Sequence, residues 1–397
     1  MITLNEITQK EKHLMAQVLA DTTSRFQAEH GIGLPVTESY LDEWLEYAAE
    51  STAEGEEYWY VLRNEDGVDV GYASIYWIEM QHRHADCMIH VLQEYRRRGY
   101  GMETAQLLLD KIFVELGLHK ACCELMEGRE EYASFVQRLG FVQDGYRSDM
   151  YFSGGRYWGT YYFSMLEEEY QKQREEIPKN AGQGTLSRDF SNPLGKQRLC
   201  GRVPEITGGY YWKSRRLVIT GMTEAYVDAN REILDSKQDQ YLYISREMEQ
   251  DDVVFEEQEA LVDFNEENDS MAYAILDMDG NYVGNIHLVG MDDKQGRFSY
   301  NIYIRRKFRG KGYGTEALLM ILRYAFLELR MHKMICNANQ GNEASAAMMR
   351  SAGCHVEGTR RQEVFYDGCY HDMVMFGMTK EAFCMKNKNW LPECEKA

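Results

Sequence analysis

"RRRGYG" at residues 96–101 and "RGKGYG" at residues 309–314 are two forms of one pattern, Arg-x-x-Gly-Tyr-Gly, 213 positions apart. Sliding the chain over itself by that offset gives 24 identities in the 75 ungapped positions between 96–170 and 309–383. The hexapeptide is therefore part of a long internal repeat. The matches include Gly99/Gly312, Gly101/Gly314, Glu103/Glu316, Phe113/Phe326, His119-Lys120/His332-Lys333 and Gly140/Gly353. Upstream, "YWYVLRNEDGVDVGYASI" (58–75) lies over "MAYAILDMDGNYVGNIHL" (271–288) in the same register.

The copies run over 1–172 and 216–383. The stretch 173–215 between them holds Pro178, Pro193 and Pro204, three of the five prolines, with "NAGQG" and "SNPLG". It reads as an irregular linker. A short tail, 384–397, follows the second copy.

Each copy carries the same succession of patterns. Asp66-Gly67 and Asp279-Gly280 interrupt apolar stretches, as a hairpin turn does. A third strand ("CMIHVL"; "YNIYI") ends just before the hexapeptide. After it, Ala105, Leu108, Leu109, Ile112, Phe113 and Leu116 recur at helical spacing, as do Leu318, Ile321, Leu322, Ala325, Phe326 and Leu329. Next come a strand ("HKACCEL"; "HKMICNA") and a helix ending near Gly140 or Gly353. Two further strands meet at Gly154-Gly155 or Asp367-Gly368. The order βββ-α-β-α-ββ, with helical sequence near each start, predicts an α/β sandwich around a mixed sheet.

The whole-chain properties narrow the function. With 397 residues and 44% apolar content, two ordinary cores can be buried. No apolar run is long enough to cross a bilayer, and "MITLNEITQKEKHL" lacks a signal-peptide pattern. The nine cysteines form no CxxC pair and no zinc spacing, which points to reduced thiols, a cytoplasmic protein and no metal site. A net charge of -20 disfavours nucleic-acid and anionic-lipid partners.

A glycine-rich turn opening a helix presents free backbone N–H groups and the positive dipole end, an anion site suited to phosphate. Neither copy has the Gly-Lys-Ser/Thr of a Walker A loop. The bases before the turn and the antiparallel-looking strands upstream do not suit a dinucleotide-binding unit. The plain alternative is a strand-to-helix turn with solvent-facing basic residues.

Arg-x-x-Gly-x-Gly after a strand and before an amphipathic helix resembles the acyl-CoA signature of the GNAT N-acetyltransferase superfamily. The resemblance implies two tandem acyl-CoA N-acyltransferase-like domains, each a mixed, mostly antiparallel sheet flanked by helices, with acetyl-CoA as cosubstrate. It implies that the turn holds the CoA pyrophosphate, that the preceding strand meets the pantetheine arm, and that a splay between two parallel strands admits the thioester. The implied CoA-binding residues of the second copy are Arg309, Gly310, Lys311, Gly312, Tyr313, Gly314 and Thr315, with Tyr303 and Ile304 on the strand. In the first copy they are Arg96, Arg98, Gly99, Tyr100 and Gly101 (within Arg96 to Met102), with His90 and Val91.

The second copy is similar to the branch holding ribosomal-protein and spermidine acetyltransferases. That branch has an Asn eleven residues before a Gly, as Asn342 and Gly353, often a Ser three residues on, as Ser345, and a late Gly-aromatic-x-Asp strand. Here that strand reads Gly368-Cys369-Tyr370-His371-Asp372, with one residue inserted. Many members place a tyrosine acid seven residues after the Asn, where this chain has Met349. Ser345 is then a candidate donor to the leaving thiolate, against its alternative as a small packing residue. In the first copy Arg129, Tyr132 and Val136 replace the Asn, Ser and Tyr. The second copy is therefore expected to be the catalytic one, with the first degenerate.

Transfer to an amine needs a proton acceptor. Glu363, Tyr303 and His287 are candidates; Glu363 could equally pair with Arg360 or Arg361, and His287 could be a core residue. Segments 40–59, with seven acidic residues and no basic one, and 247–269, with 11 acidic of 23 and no basic one, precede the first hairpin of each copy. They would concentrate a cationic acceptor or form solvated helix faces. The expected function is acetyl transfer to a primary amine of a cationic small molecule or a peptide N-terminus. The alternative is a CoA-binding sensor or interaction module with a degenerate site. The sequence does not name the acceptor or the oligomeric state.

Overall fold

The computed structural model describes residues 1–20, 37–128, 130–175, 212–233, 238–239, 241, 271–292 and 294–391. The chain divides into two units. One comprises Met1–Arg188 with Arg361–Phe365, the other Asp189–Arg360 with Tyr366–Ala397.

The first unit runs β1 (Thr3–Glu6), α1 (Lys12–Ala20), α2 (Glu38–Glu54), β2 (Tyr58–Arg63), β3 (Asp69–Glu79), β4 (His84–Val91), α3 (Tyr100–Asp110), β5 (Lys120–Met126), α4 (Glu130–Arg138), β6 (Val142–Ser153), β7 (Arg156–Leu166) and α5 (Glu167–Glu175). Its strands lie in the order β1-β2-β3-β4-β5-β7-β6. The β4–β5 pair is parallel, and its neighbours are antiparallel. The β2–β3 turn is closed by Asn64, whose Oδ1 accepts the Asp66 and Val68 amides at 3.1 and 2.9 Å. Gly67 supplies the left-handed residue (φ 75°) that this turn requires. Strand alternation then divides the side chains. Ala73, Ile75, Ala121 and Cys123 pack under α3 and α4, while Val61 and Tyr72 pack with Leu41 and Leu45 of α2.

The second unit repeats this plan with β8 (Leu217–Gly221), α6 (Glu224–Ala229), β9 (Met271–Asp277), β10 (Tyr282–Asp292), β11 (Arg297–Ile304), α7 (Tyr313–Leu327), β12 (Lys333–Asn339), α8 (Glu343–Ala352), β13 (His355–Tyr366), β14 (Cys369–Thr379) and α9 (Lys380–Lys386). Its order is β8-β9-β10-β11-β12-β14-β13, with β11–β12 parallel. The expected βββ-α-β-α-ββ succession is present in both copies, and β1 and β8 each add an edge strand.

The repeated acid after the hexapeptide has a structural explanation. Glu103 accepts the Ile2 amide at 2.8 Å. Glu316, fully buried, accepts the Ser214 hydroxyl and the Arg216 Nε, both at 2.6 Å. In each copy a carboxylate on the first turn of the helix, exposed in the first and buried in the second, thus ties down the chain leading into, or forming, the first strand.

Among the described residues, no helix is long and apolar enough to cross a membrane.

Candidate active site

Both hexapeptides make the same turn. Gly99 (φ 92°) and Gly312 (φ 79°) are left-handed N-caps of α3 and α7, and neither helix end is capped by a side chain. The first-turn amides are therefore available to an outside acceptor. The turn visits the left-handed region a second time, two residues earlier, at Gly310 (φ 74°) and at Arg97 (φ 63°). An added Cβ at Gly314 would stand 3.0 Å from Met348 Sδ and 3.4 Å from Ile304 Cγ1, so the helix start packs closely on its strand.

The parallel strands beside each turn separate. β4 pairs with β5 from His84↔Lys120 to Asp86↔Cys122, and β11 with β12 at Arg297↔Lys333 and Phe298↔Met334. Beyond those points each strand continues without its parallel neighbour, which leaves the backbone of Cys87–Val91 and Ser299–Ile304 facing a gap. An extended ligand carrying amide groups can enter such a gap and pair with the exposed strand.

In the first unit the gap opens into a cleft of about 570 Å³. It starts at Arg96, Arg97 and Gly99, follows Met88–Val91, passes between Cys87 and Cys123, and reaches Glu124, Tyr132 and Thr160. Glu124 lies two residues past the last parallel pair and opposite Tyr162 on β7. Thr160 Oγ1 is buried and has no hydrogen-bond partner among the described residues. Tyr132 precedes Val136 by one helical turn, so the two share a face of α4, and both line the cleft. Burial, with Asp86 and Glu124 nearby, pushes the Tyr76 phenol well above its ordinary range, so it stays protonated.

The arginines of the two turns hold different groups. In the first copy Arg96 Nε donates to the Val91 carbonyl at 2.8 Å, and Arg98 donates to the Glu94 carbonyl at 3.0 Å while lying over the Tyr95 ring. In the second copy Arg309 Nε likewise donates to the Ile304 carbonyl at 2.7 Å, but its Nη1 also meets Asp239 at 2.8 Å. Arg216 donates to the Lys311 carbonyl at 2.8 Å and lies over the Tyr313 ring. Thr315 is half-buried on the first turn of α7.

The expected catalytic residues occupy three separate settings. Tyr303 is buried and donates its hydroxyl to Glu232 at 2.9 Å. Burial and that carboxylate raise the phenol's pKa far above neutrality, so it is a poor proton acceptor. Asn342 is the N-cap of α8, its Oδ1 accepting the Ser345 amide at 3.1 Å. Ser345 is half-buried beside it. Glu363 lies in the first unit, buried, with Lys120 Nζ at 2.6 Å. Asp144 is 3.6 Å from the same ammonium, and Arg361 bridges Asp144 at 3.1 Å and Glu169 at 2.8 Å. A carboxylate committed to a buried lysine is a poor base, which argues against the expected catalytic role of Glu363. The repeated Lys333 is buried against Glu357 at 2.6 Å. His287 is buried, its Nε2 has no partner among the described residues, and burial lowers its pKa to about 4.

The acidic residues of 40–59 lie mainly on the solvent side of α2, opposite Leu41, Leu45 and Ala48. Lys12 bridges Asp42 at 2.6 Å and Glu38 at 3.0 Å. None of these acids lines the cleft. The second acidic segment, 247–269, and Arg129 lie outside the described residues, as does most of 173–215.

Sequence reasoning passed over Glu124, Tyr76 and Thr160. Glu124 sits in the apolar run "HKACCELM", where an acid five residues before the Asn position was a usable signal. Asp239 and Glu232 carried none, because neither belongs to a repeated position.

The family described as "Acetyltransferase (GNAT) domain" matches residues 2–142 and again 216–355. The chain belongs to the GNAT acetyltransferase family. The two matches coincide with the two turn-and-splay constructions, so both copies are GNAT domains. Among curated relatives, the SPbeta prophage-derived uncharacterized N-acetyltransferase YokL of Bacillus subtilis is 36% identical over 117 residues, 30% of this chain and 66% of that protein. The putative ribosomal N-acetyltransferase YdaF of the same organism is 32% identical over 102 residues, 26% of this chain and 56% of the relative. The spermidine N(1)-acetyltransferase of Escherichia coli K12 is 25% identical over 114 residues, 29% of this chain and 61% of the relative. The chain thus spans less than two thirds of the length of each. Among solved structures, the spermidine N-acetyltransferase of Vibrio cholerae in complex with CoA and spermine is 18% identical, covering 42% of this chain and 97% of that one, with a TM-score of 0.38.

Proposed function

We propose that this GNAT protein transfers the acetyl group of acetyl-CoA to a primary amine, and that the first copy is a working site. The observation that carries the reading is the first copy's cleft, which joins the hexapeptide turn, the strand gap and Glu124 in one continuous space. This reading assigns the work to the first copy, where the sequence alone suggested the second. The residues suit the cosubstrate: uncapped helix amides and Arg96–Arg98 for pyrophosphate, the β4 backbone for the pantetheine amides, and an apolar passage for the thioester.

Glu124 accepts a proton from the incoming ammonium, directly or through one water, which frees the amine lone pair. The amine nitrogen bonds to the acetyl carbon, the carbon–sulfur bond breaks, the sulfur takes a proton from the Tyr132 hydroxyl, and the second proton of the acylated nitrogen passes through water to restore that hydroxyl. Transfer is direct. Cys87 and Cys123 line the passage, but burial raises Cys87 to about 12 and Cys123 well above its ordinary value. Neither thiol is poised to form an acyl intermediate. A cationic small amine or a peptide N-terminus fits the half-buried acid at the cleft's end. The cytoplasm is the setting in which free cysteines, seven of them among the described residues, and an acetyl-CoA supply coexist.

Steady-state turnover against a panel of polyamines, mono-amines and peptide amides, compared between the wild type and Glu124→Gln, tests this. The variant should lose about 100-fold in kcat with CoA affinity unchanged. Tight CoA binding without turnover of any amine would favour the sensor reading instead.

A further inference from the structure

Asp239 approaches the second copy's turn from outside the repeat. Its carboxylate is buried and accepts from Arg306 Nε at 2.6 Å, Arg309 Nη1 at 2.8 Å and Arg309 Nη2 at 3.3 Å. Glu232 fastens the adjoining backbone and side chains, accepting from the Arg306 amide at 3.1 Å, Arg305 Nη2 at 3.0 Å and the Tyr303 hydroxyl at 2.9 Å. The guanidinium of Arg309, which opens this turn, and that of Arg306, three residues before it, therefore already hold an anion.

We propose that Asp239 is an internal counter-ion that stands in for phosphate at the second copy's turn, so that CoA binds there only by displacing it. The inference rests on reading that turn as a pyrophosphate site. A carboxylate on paired guanidiniums uses the same donors, in the same fork geometry, as a phosphate would. The two anions compete for one set of N–H groups, and a buried carboxylate stripped of both partners is costly to leave in place. Displacement consequently moves the short segment that carries Asp239.

That segment has a second attachment. Tyr241 donates its hydroxyl to the Gln340 carbonyl at 3.1 Å, its own carbonyl accepts Asn339 Nδ2 at 2.9 Å, and its ring stacks on Tyr366 at 4.3 Å. Gln340 immediately precedes the turn into α8, where Asn342 and Ser345 lie. Phosphate binding at the turn is thereby coupled to the residues beside the expected thioester position, and the coupling acts in both directions.

The experiment is CoA titration calorimetry on the full chain carrying Gly99→Asp, which confines binding to the second copy. Adding Asp239→Asn should tighten CoA about tenfold, while Asp239→Glu should stay near the parent. A further Gly312→Asp should remove the remaining binding. Unchanged or weaker CoA binding in a folded Asp239→Asn chain, with Gly312→Asp still abolishing it, overturns the counter-ion and leaves the turn as the phosphate site. Binding indifferent to Gly312→Asp, or absent from every variant, removes both. Hydrogen exchange on the wild-type chain gives a readout that needs no substitution. The amides of Gln238, Asp239 and Tyr241 should exchange faster with CoA than without, and protection or no change would count against displacement.

Discussion

The two hexapeptide turns share a sequence pattern and a backbone, yet present different chemistry. In the first copy the turn leads into a cleft that ends at Glu124 and Tyr132. In the second, Arg306 and Arg309 are neutralised by Asp239, and the positions matching Glu124 and Tyr132 are Asn337 and Ser345. The backbone is dictated locally, by glycines at left-handed positions and by a strand delivering the chain to a helix. The chemistry is dictated by segments that do not repeat. A repeated motif therefore marks where an anion can sit, and leaves open whether the protein itself already occupies the place.

The comparison is broken most directly at the glycines. Gly99→Asp should reduce amine acetylation at least about a thousandfold, because a side chain and a negative charge enter the phosphate seat proposed for the first copy. Gly312→Asp should leave most of the turnover. The reverse ranking in steady-state assays would return the catalytic role to the second copy.

The buried lysines sharpen it next. Burial lowers the Lys120 pKa, but Cys122 and the carboxylates Glu363 and Asp144 together outweigh it and raise the value to about 12; Lys333 faces Glu357. Lys120→Met and Lys333→Met should each cost roughly 3–5 kcal/mol in denaturant unfolding, since each strands a buried acid. Lys120→Met should cost more, having stranded two. Equal losses would mean that Asp144 is satisfied by Arg361 and Ser164 alone.

A smaller difference concerns His287, whose counterpart is Ser74. The imidazole titrates at about 4 in the folded chain and near its ordinary 6.5 when unfolded. Between those values the unfolded state binds the extra proton, so stability is fully present above pH 6.5 and falls as pH drops toward 4. The full span is at most about 3 kcal/mol. His287→Gln should flatten that part of the pH–stability curve, and Ser74→Ala should leave it unaltered. A curve unchanged by His287→Gln would show that the imidazole finds a partner when protonated.

Much of the fold was legible because its signals are local. Asp-Gly turns, helical spacing after the hexapeptide and the offset of 213 each depend on residues near one another in sequence, and each has its counterpart in the sheet order and in the matched family. Part of the site was legible for the same reason, since the turn glycines set their own backbone. Glu363 read as a candidate base because nothing in its own stretch of sequence shows the buried ammonium that it meets. Its actual partner, Lys120, lies 243 positions away. The acidic run 40–59 suggested a cleft wall, but helical periodicity turned its charges to solvent once Leu41, Leu45 and Ala48 were buried.

The sequence by itself determined the repeat, the order of elements and the two anion-ready turns, because these follow from glycine conformations and from side-chain periodicity along single strands and helices. Tertiary structure alone decided that Glu124 ends a cleft, that Glu363 is spent on a buried ammonium and that Asp239 holds the guanidiniums of Arg306 and Arg309. Each of those outcomes depends on burial and on which charge lies within about 3 Å. Coulombic and hydrogen-bond energies are steep in distance, and the distances between residues far apart in sequence exist only once the chain has folded.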